Sequence, residues 1–314
     1  MATDITLVLG ALSFGTRIDE AQSFDLLDQY REAGGEWIDT ADNYAWWAHP
    51  SGFGGQSETV IGRWLDQRPG ARGDVRISTK GGAEPTTPNG YPDHVEGLSA
   101  SALEEALTGS LERLRTDRVD LYWSHIEDRS VDLGETVRTL DGFVADGRVK
   151  RLGASNHPMW RVEQARNIAF DHAIEPYRAI QLRWSYLQPL PGVALPQSGH
   201  VHATSETFDY LRGNDDVWLW VYNTLLDGGY TRADRPLPDA YDHPGTRRRL
   251  AVLDAVAAET GATRNQVVLS WLAGGPLKIS PIVGVTTPAQ ITEALAARTL
   301  TLTPDQRTRL DTAA

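Results

Sequence analysis

The sequence predicts a closed (β/α)8 barrel, and three observations lead there. Short β-branched and apolar runs alternate with helical patterns along the whole chain. Eight such units fit into 314 residues, about the span that a barrel of this kind requires. Three of the runs end in side chains that exchange protons: Asp39 with Tyr44 five residues on, Lys80, and His125. An open doubly wound sheet is the structural rival, and the count of units favours the barrel.

The predicted strands are Leu7–Leu9, Glu36–Asp39, Val75–Thr79, Val119–Ser124, Val149–Gly153, Ala179–Gln181, Val217–Val221 and Ile279–Val283. Helices are expected between them. Asp19–Ala33 carries Phe24, Leu27 and Tyr30 at helical spacing and stops at Gly34-Gly35, a favoured helix end. Ser57–Leu65 and Ser99–Leu114 follow, the second with Ser101-Ala102-Leu103-Glu104 spaced as a capping box. Then come Leu133–Ala145, Pro158–Ile168, Thr246–Glu259, Arg264–Leu272 and Pro288–Ala297. Two segments exceed a minimal barrel, 43–55 after strand 2 and 187–204 between strands 6 and 7. Both leave strand C-termini, the end where barrels assemble their sites from loops. The alternation resumes beyond each, so one domain over residues 1–314 is the expectation.

Composition excludes several classes of function. With no cysteine, disulfides, thiolate catalysis and cysteine metal sites are ruled out. A net charge of −12 repels nucleic acid and anionic lipid, so neither is an expected partner. No apolar run approaches the ~18 residues of a membrane span, and the first residues lack the pattern of a signal peptide. A cytoplasmic location is the expectation. His200-Val201-His202 has no third ligand at a supporting spacing, so no metal is expected. Arg247-Arg248-Arg249 reads as the solvated face of a helix.

The chemistry lies at the strand ends. A tyrosine holds its proton at neutral pH, with an ordinary pKa near ~10. The ammonium of Lys80 favours the phenolate, so it is expected to lower the pKa of Tyr44. A partly desolvated lysine needs a counter-charge, which Asp39 is placed to provide. His125 can orient a carbonyl oxygen or join the proton path. Singly, each is explained as a cap, a solvated strand end or a wall residue. Together they suit delivery of a proton to an oxygen as hydride reaches the adjoining carbon.

This set resembles the aldo-keto reductase superfamily. The text that matches is Asp39-Thr40-Ala41-x-x-Tyr44, Ser78-Thr79-Lys80, Asp120-Leu121-Tyr122-x-x-His125 and Gly147-Arg148-Val149-Lys150-x-x-Gly153-Ala154-Ser155-Asn156. The resemblance runs from about Leu7 to about Leu310. It implies a catalytic tetrad of Asp39, Tyr44, Lys80 and His125, with Tyr44 as general acid. It implies NADP(H) or NAD(H) as cofactor, held without a dinucleotide-binding glycine motif, and a small carbonyl or alcohol as substrate. Gly52-x-Gly54-Gly55 opens no βαβ unit of the dinucleotide type, in agreement.

The same resemblance places the nicotinamide carboxamide near Ser155, Asn156 and Gln181, and its ring against Tyr222. The stretch Asn223–Tyr230, including Thr224, Leu225 and Gly228, looks like the loop over the pyrophosphate. Gly284, Thr286, Gln290 and Glu293 match the surroundings of the adenosine. Many relatives carry Arg or Lys in that loop and Asn after the glutamate; here stand Thr286, Thr287 and Ala294. That departure opens the way to NADH, unless Arg264 or Arg298 folds back onto a 2′-phosphate. Trp46, Trp47 and Trp184 are the expected walls of the substrate pocket. The rival readings are a nucleotide-sensing subunit with little turnover and a barrel aldolase or isomerase using Lys80 as a Schiff-base amine.

Overall fold

The computed structural model describes residues 6–193 and 199–313. Eight strands, β1 (Val8–Gly10), β2 (Trp37–Asp39), β3 (Arg76–Gly81), β4 (Leu121–Ser124), β5 (Leu152–Ser155), β6 (Tyr177–Arg183), β7 (Trp218–Tyr222) and β8 (Ile279–Gly284), pair in sequence order. All pairs are parallel, and β8 closes on β1 through Val8 opposite Ile282. The barrel expectation is met.

The helices are α1 (Glu20–Glu32), α2 (Gln56–Gln67), α3 (Ala71–Asp74), α4 (Ala100–Leu114), α5 (Leu133–Ala145), α6 (Met159–Asp171), α7 (Ser205–Gly213), α8 (Pro244–Thr260), α9 (Arg264–Ala273), α10 (Pro288–Ala296) and α11 (Pro304–Thr312). Four differences from expectation have local causes. The start of α4 is capped by Ser99, which accepts from the Ala102 amide, and not by Ser101. Glu104 instead receives Arg148 of the β4–β5 region at 3.0 Å. Helix α7 was hidden in the long segment before strand 7, and α11 lies past the last unit; Thr204 and Thr303 cap them through boxes with Thr207 and Gln306. Val149 forms only an isolated bridge to Val119, so β5 begins three residues later than predicted.

Strand alternation sorts the side chains into two layers. Outward residues join the core between sheet and helices, which includes Leu9, Ile38, Ile77, Tyr122, Ile180 and Leu182. Inward residues fill the lumen, where Val8, Trp37, Leu121, Trp123, Ala179, Trp220 and Ile282 form their own cluster. Trp220 meets Trp37 edge-on at 5.1 Å, Trp123 at 5.3 Å and Trp218 at 5.1 Å between ring centroids. This indole layer is a floor. The next inward residues toward the strand C-termini are Asp39 above Trp37, His125 above Trp123, Gln181 above Ala179 and Tyr222 above Trp220. A cavity of about 770 Å³ opens on the far side, at the strand starts, between Trp37, Trp218, Arg178 and Lys278.

Gly153 shows how tightly the floor is built. A Cβ there would fall 2.3 Å from Cε3 of Trp123, so the buried indole would have to move. We expect Gly153→Ala to destabilise the barrel by about 1–3 kcal/mol, the usual cost of overpacking. Urea denaturation measures it, and an unchanged midpoint would mean that the floor yields freely.

Candidate active site

The site is assembled where β2, β3, β4 and β7 end. Lys80, fully buried, donates from Nζ to Asp39 Oδ2 at 2.7 Å, to the Thr40 carbonyl at 2.7 Å and to the Tyr44 hydroxyl at 2.9 Å. An ammonium has three N–H groups, and each has an acceptor. Asp39 is held in turn: Ser78 Oγ donates to its Oδ1 at 2.6 Å and Gln181 Nε2 at 3.3 Å. Ser78 and Lys80 are two apart on β3, so both face the lumen. The Tyr44 ring stands edge-on to His125 at 5.9 Å. The four residues singled out from sequence are therefore brought together.

Their electrostatics differ from expectation in one respect. Burial, followed by the carboxylates of Asp39 and Asp42, pushes the Tyr44 phenol well above its usual range. The predicted net lowering by Lys80 is not met, because desolvation of a phenolate outweighs one ammonium already paired with Asp39. Such a phenol is a firmly neutral hydroxyl that gives its proton only to a strong base. Burial pulls the Lys80 ammonium down, and Asp39 opposes that pull. His125 is held well below the usual imidazole range by burial, then by Lys80 and His200. It is neutral at pH 7, and its buried Nδ1 has no partner among the described residues.

Beside this group the ends of β5, β6 and β7 carry a polar strip. Asn156, in left-handed backbone at φ 58°, donates from Nδ2 to Ser155 Oγ at 3.1 Å and to the His125 carbonyl at 3.2 Å. Its Oδ1 accepts from Tyr222 OH at 2.6 Å and from the Val201 amide at 3.2 Å. Ser155, Asn156, Gln181 and Tyr222 thus adjoin as expected. Sequence reasoning missed two neighbours. His200 Nδ1 lies 2.8 Å from Tyr222 OH, and buried Arg183 donates to the Asn223 amide oxygen from Nε at 3.2 Å and Nη2 at 2.5 Å. His200 comes from pairing of 201–203 with the end of β6, where the Arg183 amide donates to Val201 and the Ala203 amide to Arg183, and Arg183 reaches Asn223 because it lies opposite Tyr222 of β7. No periodicity signals that contact. The segment 187–204 is otherwise partly outside the described residues.

Other predicted residues separate into two groups. Trp46 lies over Tyr91, 5.7 Å away and tilted by 33°, with Trp47 edge-on to it and 42% exposed. Both stay at the mouth, joined by Tyr91 from the β3–α4 loop. Trp184 does not. It packs on Phe208 of α7 at 4.6 Å and Trp271 of α9 at 5.0 Å, because alternation turns it outward after inward Arg183. Thr224 is buried and donates to the Ile282 carbonyl, which makes it a strut between β7 and β8, while Leu225 and Gly228 lie in the turn that follows. Beyond Gly284, Gln290 Oε1 accepts from the amides of Thr286 at 2.6 Å and Thr287 at 3.1 Å. Glu293 accepts from Thr263 and Asn265. Arg264 is paired with Asp254, and Arg298 donates to the Gly34 carbonyl behind α1. Among the described residues no cluster of three or more His, Asp or Glu is arranged to hold a metal, and no helix is long and apolar enough to cross a membrane.

Residues 6–314 match the Aldo/keto reductase family. The chain belongs to that family. An uncharacterised oxidoreductase of Bacillus subtilis is 27% identical over 94% of this chain and 88% of its own length. An aryl-alcohol dehydrogenase of Pestalotiopsis microspora is 27% identical over 95% of this chain and 76% of its own. Norsolorinic acid reductase A of Aspergillus parasiticus is 33% identical over 57% of this chain, which spans 46% of that protein. Family and relatives together make this aldo/keto reductase an oxidoreductase.

Burial also holds His202 and His200 at about 4, with the Arg183 cation adding to it, and lowers His157. An unfolded histidine takes up a proton near pH ~6.5, whereas these refuse one until lower pH. Their stabilising effect is complete above ~6.5 and is lost as pH falls toward 4. We expect the melting temperature to drop across that window, less steeply in His202→Gln, and the His125 ring protons to show no titration by NMR near neutrality. An equal slope in the variant would remove His202 from the account.

Proposed function

We propose that this aldo/keto reductase moves a hydride between a nicotinamide cofactor and the carbonyl of a small aldehyde or ketone, with Tyr44 as the general acid. The observation that carries this reading is Lys80, whose ammonium bridges Asp39 and Tyr44 and gives its remaining N–H to the Thr40 carbonyl. When bound, reduced nicotinamide supplies the hydride. The residues of the chain do the rest. The substrate oxygen sits between Tyr44 OH and the neutral ring of His125. As negative charge grows on that oxygen it becomes a base strong enough to take the proton of a high-pKa phenol. Lys80 lies 2.9 Å away to stabilise the phenolate that remains, and Asp39 keeps the lysine charged.

The strip of Ser155, Asn156 and Gln181 fits a carboxamide, since it offers both donors and acceptors in a buried row, and the Tyr222 ring gives a flat neighbour for the nicotinamide. Asn223, Leu225, Gly228, Gly284, Thr286, Gln290 and Glu293 are proposed to hold the rest of the dinucleotide. Trp46, Trp47 and Tyr91 suit a planar substrate. The names of two relatives, an aryl-alcohol dehydrogenase and a norsolorinic acid reductase, support an aromatic carbonyl or alcohol. The Schiff-base alternative is disfavoured by the full pairing of Lys80, which leaves no free amine lone pair. A sensing role has one observation in its favour: a probable potassium-channel β subunit of Oryza sativa is 26% identical over 91% of this chain. Turnover with a panel of aryl aldehydes separates the two.

Tyr44→Phe removes the hydroxyl and keeps the ring. We expect a fall in kcat of roughly two decades or more, the scale of positioned acid catalysis, with cofactor affinity nearly unchanged. Lys80→Met should likewise lose most activity near neutrality, as the phenolate loses its ammonium. Near-normal reduction by the Phe variant would remove Tyr44 from the mechanism.

Cofactor choice follows from the loop before α10. Thr286 and Thr287 bring no charge, Arg264 is paired with Asp254 and Arg298 points at Gly34. NADPH should therefore be favoured only weakly over NADH. A charge-assisted contact to phosphate contributes about 1.5–3 kcal/mol, so Thr286→Arg should tighten NADPH by roughly one to two decades and leave NADH alone. Fluorescence titration measures both, and a wild-type preference of a thousandfold for NADPH would overturn the argument.

A further inference from the structure

The mouth of the barrel holds a histidine that the proposed chemistry does not use. His200 lies in the segment 199–203, which runs beside the end of β6. There the Arg183 amide donates to the Val201 carbonyl at 2.9 Å, and the Ala203 amide to the Arg183 carbonyl at 3.0 Å. That pairing carries the imidazole to Tyr222 at the end of β7, with Nδ1 2.8 Å from the hydroxyl and the rings 5.4 Å apart. The same hydroxyl lies 2.6 Å from Asn156 Oδ1. Two backbone groups fix which end of the Asn156 amide is which. The Val201 N–H must donate to its oxygen, at 3.2 Å, and the His125 carbonyl must accept from its nitrogen, also at 3.2 Å.

The direction of each bond follows. Asn156 Oδ1 can only accept, so the one hydroxyl proton of Tyr222 points to it. His200 Nδ1 therefore has to donate to the phenol oxygen. The imidazole is neutral at pH 7, so its single N–H is the one on Nδ1, and Nε2 is bare. A directed chain runs from His200 to Tyr222 to Asn156, and it grips the far end of the tyrosine ring from two elements, 199–203 and the end of β5. We propose that His200 is a positioning residue: its Nδ1–H holds the Tyr222 ring in place as the flat wall against which the nicotinamide of the cofactor stacks. A ring hinged only at its Cβ loses freedom when the cofactor binds, whereas a ring already held does not add that cost. The role rests on the nicotinamide reading above; the tautomer and the direction of the chain do not.

Two measurements on the full chain separate these parts. The first needs no cofactor. Nitrogen NMR of isotope-labelled histidine should show His200 as the Nδ1–H tautomer, the form that a free imidazole favours less, and Tyr222→Phe should abolish that preference. An Nε2–H signature in the wild type overturns the directed chain. The second is fluorescence titration with NADH and with ADP-ribose, which has the adenosine half and no nicotinamide. His200→Leu should weaken NADH about three- to tenfold, the scale of one neutral hydrogen bond, and leave ADP-ribose unchanged. His200→Asn, whose amide nitrogen can take the place of Nδ1, should restore the affinity. Tyr222→Phe should lose at least as much as His200→Leu, and the double variant no more than Tyr222→Phe alone. Unaltered NADH affinity in His200→Leu, equal losses on ADP-ribose, or losses that add would each overturn the positioning role. Failure of the wild type to bind NADH would overturn the nicotinamide reading, and the role with it, whichever tautomer is found.

Discussion

Everything at the mouth of the barrel depends on keeping one ammonium charged where water does not reach. Lys80 is fully buried, and a buried cation persists only with a counter-ion and acceptors for all its protons. Three segments meet that demand: Asp39 from β2, the Thr40 carbonyl just past it, and Tyr44 from the loop beyond. The need propagates outward. Asp39 must itself be fixed, which Ser78 and Gln181 do from β3 and β6 across the lumen. Loss of the lysine would leave a carboxylate buried without its partner, so stability and chemistry are tied to the same atom.

The barrel makes this arrangement possible by alternation. Asp39, His125 and Tyr222 each stand two residues beyond a lumen tryptophan, Trp37, Trp123 and Trp220, so this part of the site rests on packed indoles. The cavity at the strand starts lies beneath that layer. Its size does not make it the seat of the chemistry, because none of the four proton-exchanging residues reaches it. Above the layer, the loops after β2 and β3 bring Trp46 and Tyr91 into contact without disturbing what lies below.

The barrel was legible because its signals are local and repeated: eight apolar runs, each followed by a helical pattern. Asp39, Tyr44, Lys80 and His125 were legible because strand ends in such a fold converge on one face. What stayed hidden depends on direction or on distant pairing. Trp184 stands one residue past an inward arginine, and only the strand's true end reveals that it faces α7 and α9. His200 comes to Tyr222 through a bridge between 201–203 and β6, which leaves no periodic trace. The sign at Tyr44 was misjudged because a sequence lists charges and cannot weigh them against burial.

The indole floor has a further consequence for traffic. An indole N–H donates and cannot accept, and those of Trp123 and Trp220 have no partner among the described residues. A layer of such rings offers no relay along which a proton can hop. Under the acid role proposed for Tyr44, the proton it gives up is then replaced from the side by which substrate arrives. Reloading of the acid and exchange of ligands then share a single doorway, and the occupant of that doorway sets when the tyrosine can be recharged.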